Sequence, residues 1–482
     1  MPKLKKTYFL TRTIVLIILA LTLFFASCSD SGGSSDISQS TDISESLDSS
    51  TAETVTDIQK KGKREISDDA IARLDEIDFG GSKAVFAVKN GSGALPDDAE
   101  SVINREKYAR VNLLEEKFNF SAVRLSLSDN ELFNQARAAE NSGLYFADLL
   151  CISPGQLWRY ALSGYAKNPQ TLPFYTAGAP YFDALSTAQT APSTQPAGVV
   201  GALNADPSSL SAILFNKNLA ATLGEASLYD YVKNGSWTLE KFNELSKLAA
   251  ADNGLNGTVS ADTADGFAEK LFFASHGNYL SKSDGRAEYS PFDDTAQQLA
   301  DAVSALLYSS KQSFAISERR ADELFKSEKA LFVFTELSAV DDLAELGFDW
   351  GILPSPTLDG SDPFSLPGNG ATVSIVLSET PDLTRSGVLL ESANAAMYGY
   401  VDELYLEHAM NYILRDNDSV NMLDKIISSV RYDFAYMYSG GVRGLANATY
   451  RAASGAVNTN HGLEYYNRIS EGIGDRIDAL SK

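Results

Sequence analysis

The chain has 482 residues, with 40 Lys plus Arg against 63 Asp plus Glu, and 44% of it is apolar. That apolar share excludes a wholly disordered chain, and the length allows about two to four domain-sized units. A formal charge of −23 argues against nucleic acid, whose phosphates need clustered Lys and Arg. Two cysteines and three histidines exclude a disulfide scaffold and leave little for a Cys/His-rich metal site.

Lys3, Lys5, Lys6 and Arg12 precede the apolar run Ile14 to Phe25, which is 12 residues long. A bilayer-spanning helix takes roughly 20, so this run reads as the apolar part of a signal peptide. It closes on Phe25-Ala26-Ser27-Cys28, which resembles the lipobox of bacterial lipoproteins. The resemblance implies cleavage before Cys28, a diacylglyceryl group on its sulfur, and a protein held to the extracellular face of the cell membrane. An ordinary secretory signal with an incidental cysteine is the alternative. Cleavage there removes four basic residues and no acid, taking the charge from −23 to −27. Residues 29–59 carry seven acids and neither Lys nor Arg. Such a stretch buries too little apolar surface to order itself, and as a flexible tether it reaches ~30–35 Å. Residues 1–27 are therefore read as the signal and 28–65 as the anchored linker.

From about residue 66 short apolar runs alternate with helical periodicity. Lys83–Val88, Ser121–Leu125 and Asp148–Ile152 read as strands, with helices expected across Asp98–Lys117 and from Asp129 to Gly143. Ser153-Pro154-Gly155 opens a further helix. In the second half Ser211–Phe215 and Leu331–Phe334 read as strands. Thr238 is expected to cap a helix that turns Leu239, Phe242, Leu245 and Leu248 inward, and Leu299, Leu306 and Leu307 mark another. Asp382 to Arg431 reads as helices, with one more near Leu480. Strands separated by helices imply an α/β fold with largely parallel sheets, whose ligands sit at the carboxyl ends of strands.

Several segments taken in order resemble the family of bacterial extracellular solute-binding proteins that serve sugar ABC importers. Ile213-Leu214-Phe215-Asn216-Lys217-Asn218-Leu219 matches its aromatic-Asn-Lys segment, and Trp237-Thr238-Leu239-Glu240-Lys241-Phe242 its Trp-Thr-x-Glu-x-Phe helix start. Phe325–Phe332 resembles its Phe-x-x-Gly-x-Ala-Met approach to a strand, and Asp349–Pro356 its Tyr-Gly-x-x-Pro-x-Pro return. Asp148–Ile152 followed by Leu162-Ser163-Gly164-Tyr165 resembles its strand and helix ending in Ser-Gly. The chain departs from the pattern at Ser327-Glu328 and before Ile213.

The resemblance implies a two-lobed periplasmic-binding-protein-like fold with a ligand cleft between the lobes. It places residues 66–209 and 354–430 in one lobe and 210–353 and 431–482 in the other, with crossings near Ser208–Ser211, Ile352–Pro356 and Val430–Asp433. It also implies a monomeric receptor without enzymatic activity, cofactor or metal, which hands a small solute to an ABC transporter permease. A sensor or adhesin on the same fold is the alternative, ahead of an anchored enzyme. Ser153 and Gln156 are cleft candidates because they follow a strand at a helix start. Glu336 and Phe334 end a second-lobe strand, Asn369 precedes the strand Thr372–Leu377, Trp350 adjoins a crossing, and Asn90 follows the first strand. Neutral donors and acceptors with one carboxylate, and no Arg fork, point to a neutral mono- or oligosaccharide, with a cationic solute next.

Overall fold

The computed structural model describes residues 61–441 apart from 97–98, 252–253, 277–279, 284–285, 290–292, 309–312, 317–319 and 439. Cys28, the linker up to residue 60 and the expected helix near Leu480 lie outside the described residues. The described strands run in chain order β1 Ser82–Lys89, β2 Phe120–Leu127, β3 Leu149–Ile152, β4 Ser211–Asn216, β5 Asn256–Ser260 and β6 Leu280–Ser283. They continue with β7 Arg286–Tyr289, β8 Phe314–Ile316, β9 Ala330–Glu336, β10 Trp350–Leu353 and β11 Val373–Ile375. They form one sheet in the order β11-β3-β1-β2, a second in the order β10-β4-β9-β5-β8, and a β6-β7 hairpin.

In the first sheet β1 pairs parallel with β2 and β3, and β11 pairs antiparallel with β3. Both faces are covered, as the period-2 alternation of side chains shows. Phe86, Val88, Leu149 and Cys151 join Leu114, Phe118, Val388 and Leu389 on one face. Ala87, Leu150 and Ile152 join Leu132, Tyr160, Phe434 and Met437 on the other. The helix Asp129–Ser142 is bounded by chemistry legible in the sequence. Ser128 and Glu131 form a reciprocal capping box, and Gly143 ends the helix at φ 65°, a left-handed conformation that glycine adopts without strain.

The second sheet is mixed rather than largely parallel. β4 runs antiparallel to β9 and β10, while β5 is parallel to β9 and β8. The reason is connectivity. β4 begins at an interlobe crossing, and antiparallel pairing brings Ile213 opposite Leu353, so β10 ends at the same edge. The core of this lobe gathers Leu214, Phe242, Leu245, Phe267, Leu271, Phe332 and Trp350. Thr238 caps the helix Leu239–Ala250 by accepting from the Lys241 N–H at 3.1 Å. Leu248, expected inward, is 43% exposed because it falls on the outer edge of the helix.

Packing redraws the expected lobes. The helix Leu383–Met397 belongs to the first lobe, but Met422, Leu423 and Ile426 of Asn417–Ser428 pack into the second-lobe core. Phe434, Met437 and Tyr438 then return to the first. The second crossing, back to the first lobe, comes later than Ile352–Pro356, because Thr357 pairs with Thr238 and the Phe364 N–H donates to the Ala274 carbonyl of the second lobe. A further passage, not expected, lies between Met397 and Ala409. Crossings are tied together: Ser365 bridges Val430 in parallel, and the Arg431 N–H donates to the Ser365 carbonyl at 3.1 Å. Trp237 Nε1 donates to the Pro354 carbonyl at 2.9 Å, holding the segment after β10 on the second lobe.

Candidate functional site

The strand registers decide what meets between the lobes. Ser211 is paired with Glu336, and Ser260 with Phe334, so the start of β4 and the ends of β5 and β9 share one edge. In the first lobe the ends of β1 and β2 pair at Lys89 and Leu127, and β11 begins opposite Ile152 at the end of β3. The segment Pro367–Gly370 enters β11 from this side. Its approach to the first crossing is close: a Cβ on Gly368 would collide with the Ser209 carbonyl, so the backbone contact requires glycine here.

Between these edges lies a cavity of about 220 Å³. The second lobe contributes Asp262, Glu269, Lys270 and Glu336, the crossings Ser209, Ser355 and Phe364, and the first lobe Asn369 and Tyr436. Lys270 Nζ sits 2.8 Å from Asp262 and donates to Ser211 Oγ at 2.7 Å. Glu269 and Lys270 are carried by the helix Ala264–Ala274, capped by Thr263, which accepts from the Gly266 N–H at 3.0 Å. Burial first, then the charges of Glu269 and Asp129, push the Tyr436 phenol up to about 12, so its hydroxyl remains a proton donor at neutral pH. Phe364 has two ring partners: His276 stacks with its ring at 4.1 Å and the Arg431 guanidinium lies 5.5 Å from it.

A second cavity of about 250 Å³ is lined by Tyr181, Phe182, Asp206, Pro207, Met397 and Tyr432 among others. It lies on the crossings themselves, and its wall is mostly apolar. The convergent polar groups and the strand ends are at the smaller cavity, which is the better candidate. Lys107 lies behind the larger cavity, whose lining includes Ala205 and Asp206. It is buried, donates to the carbonyls of Gly93 and Ala205, and has its pKa pulled down by desolvation against the opposing charge of Asp206.

Of the residues singled out in the sequence, Glu336 and Asn369 line the cavity. Trp350 does not reach it: the ring is 2% exposed in the second-lobe core, and Nε1 donates to the Leu343 carbonyl at 3.1 Å. Phe334 is 1% exposed and packs edge-on against Phe267, so it supports the cavity floor beneath Lys270. Ser153 Oγ donates to Asp129 at 2.8 Å, Gln156 accepts from Arg159 at 3.2 Å, and Asn90 Oδ1 accepts from Ser126 at 2.8 Å. These three sit on the first lobe outside the cavity lining.

Asp262, Glu269, Lys270 and Tyr436 were not anticipated. Thr263 followed by Phe267 and Leu271 is a legible cap and helix face, and it would have marked Asp262 as the residue leaving β5. Among the described residues, no group of three or more His, Cys, Asp or Glu side chains is placed to hold a metal ion. Nor is any described helix long and apolar enough to cross a membrane.

No family model and no curated protein matches the sequence. Solved structures do match the fold. A cyclo/maltodextrin-binding protein complexed with maltotetraose aligns at TM-score 0.56 and 15% identity, covering 83% of this chain and 98% of that one. A family 1 extracellular solute-binding protein from Bifidobacterium longum subsp. infantis aligns at TM-score 0.56 and 12% identity, covering 81% and 99%. UgpB from Mycobacterium tuberculosis, in complex with glycerophosphocholine, aligns at TM-score 0.55 and 14% identity, covering 81% and 98%. The chain thus has the two-lobed fold of periplasmic-binding-protein type, over nearly the full length of these structures.

Proposed function

We propose that this protein is an exported, lipid-anchored receptor that captures a small polyhydroxyl solute between its lobes and delivers it to an ABC transporter permease. The observation that carries this reading is the polar cavity of about 220 Å³ to which both lobes and two crossings contribute. Solute bound there touches both halves at once, and only contacts made preferentially in the closed form shift the lobes toward it. Support comes also from structures of the same fold that hold maltotetraose and glycerophosphocholine. For the anchor, support comes from the lipobox-like segment ending at Cys28, since two acyl chains suffice for stable attachment. The serines and Asn369 around the cavity suit a body of saccharide type.

X-ray scattering of the free and solute-saturated protein tests the reading, with calorimetry across a broad sugar panel. Saturation should compact the particle, and binding should proceed without turnover. Unchanged scattering under a solute that demonstrably binds would sink it. Cys28→Ala should abolish acylation and leave the protein unprocessed or released; a variant that stays lipid-modified would remove the anchor from the proposal.

A further inference from the structure

The ionisable groups of the cavity are unequally provided with partners. Lys270 is the cation among the lining residues, and it is already committed to Asp262 at 2.8 Å and Ser211 at 2.7 Å. Two neighbouring cations are engaged as well. Lys89 donates to the Asn369 carbonyl, and Arg431 donates to the carbonyls of Val430 at 2.7 Å and Ser428 at 3.2 Å while covering Phe364. An anionic solute would therefore find these positive groups, among the described residues, held by the protein.

The carboxylates differ. Asp262 is neutralised by Lys270, and Glu269 bears electrostatically on the Tyr436 phenol across the cavity. The Glu336 side chain makes no hydrogen bond or ion pair with any described residue, although it lines the cavity and is half-buried. Its position is set by register, since it pairs with Ser211 at the end of β9; it is the N-cap residue of the 3-10 turn Leu337–Ala339, but its side chain accepts no capping hydrogen bond there. When the lobes close and water leaves, a carboxylate without a partner is costly, and solute must supply its donors. A neutral hydroxyl brings one donor and no charge. A protonated amine brings up to three donors and the opposite charge, and charge-assisted hydrogen bonds are about twice as strong as neutral ones. The mature charge of −27 also attracts cations at long range.

Resting on the receptor reading above, we infer that the solute is a polyhydroxyl compound bearing a protonated amine, with its ammonium group held by Glu336. The serines and Asn369 then take the hydroxyls, and the Asp262–Lys270 pair supplies one acceptor and one donor edge without net charge.

The test uses the full-length exported protein in mild detergent and matched pairs of sugars: glucosamine against glucose, galactosamine against galactose, and a glucosamine disaccharide against cellobiose. Titrations are run near about pH 6 and about pH 9, on either side of the range near 8 where such amines lose their proton. At the lower pH the amine of at least one pair should bind roughly tenfold tighter than its hydroxyl counterpart, and the gap should shrink at the higher pH. Glu336→Gln should erase the preference while leaving the melting temperature and the scattering of the free protein unchanged. Solute released by denaturing protein purified from its own cells should contain a basic nitrogen by mass spectrometry. A neutral sugar that binds as tightly as its amine, or a preference that survives Glu336→Gln, overturns the inference. In that outcome, compaction by the neutral sugar leaves the receptor reading standing. No binding by either series and no released solute overturns both.

Discussion

Asp148 has no exposed surface, and one of its oxygens lies 2.7 Å from Arg385 Nε, joining the strand β3 to the helix Leu383–Met397. Its other oxygen accepts from the Tyr145 hydroxyl at 2.6 Å and the Val85 N–H at 2.8 Å. The pair therefore sews two elements more than 200 residues apart onto the first sheet, and both buried oxygens have donors. Asp148→Ala should cost about 3–5 kcal/mol of stability, the loss expected when one partner of a buried pair is removed. Arg385 keeps 16% of its side chain exposed, which favours the lower end. Chemical denaturation measures it, and a loss below about 1 kcal/mol would show that the pair is dispensable.

Asp416 predicts an acid limb of the stability curve. Burial raises its pKa, but the Lys217 ammonium at 2.6 Å and the Ser419 N–H and hydroxyl outweigh it, and the net direction is down. A carboxyl depressed on folding contributes stability above its unfolded pKa, about 3.9, and that contribution is lost as pH falls through the lower folded value. Asp416→Asn keeps the helix cap, because Asn is an equally good N-cap, and removes the charge. It should lower the melting temperature at neutral pH and flatten the decline below about pH 4. An acid limb identical to that of the unaltered protein would contradict this assignment.

Trp350 separates core from cleft. Trp350→Ala should destabilise the second lobe by about 3–5 kcal/mol, as for large aromatic truncations in a packed core. Solute affinity, measured well below the melting temperature, should change little. A protein of normal stability that has lost binding would put the indole at the solute instead.

Cys151 is buried on the Phe86 and Leu149 face of the first sheet, and burial pushes its thiol up to about 12. Reactivity belongs to the thiolate. In a Cys28→Ala background the native protein should therefore resist a thiol reagent at about pH 8, and unfolding should release one reactive thiol. Rapid labelling of the folded protein would mean that the sheet opens locally at β3.

Local chemistry made much of this protein legible in its sequence. The Ser128 and Glu131 capping box, the Gly143 stop, the Thr238 cap and the apolar runs of β1, β3 and β9 depend on residues within a few positions of one another. The passage expected near Leu353 was placed too early, because pairing of Thr357 with Thr238 and of Phe364 with Ala274 keeps the chain on the second lobe for about ten residues more. What only the tertiary structure decided is which side of each element is covered, and by what. Trp350 adjoins an expected crossing in sequence, yet its strand is roofed by second-lobe helices, and the indole faces them. Ser153 follows a strand end like Glu336, but Asp129 reaches it first. The helix Asn417–Ser428 is amphipathic on any reading, and nothing in its own residues says which of two sheets its apolar face will meet. Glu336 and Asn369 lie 33 positions apart and line one cavity, because antiparallel pairing turns β9 toward the hinge and the second crossing returns to the same edge. Side-chain periodicity is a local property of the backbone, whereas register and lobe choice depend on burial summed over contacts far apart in the chain.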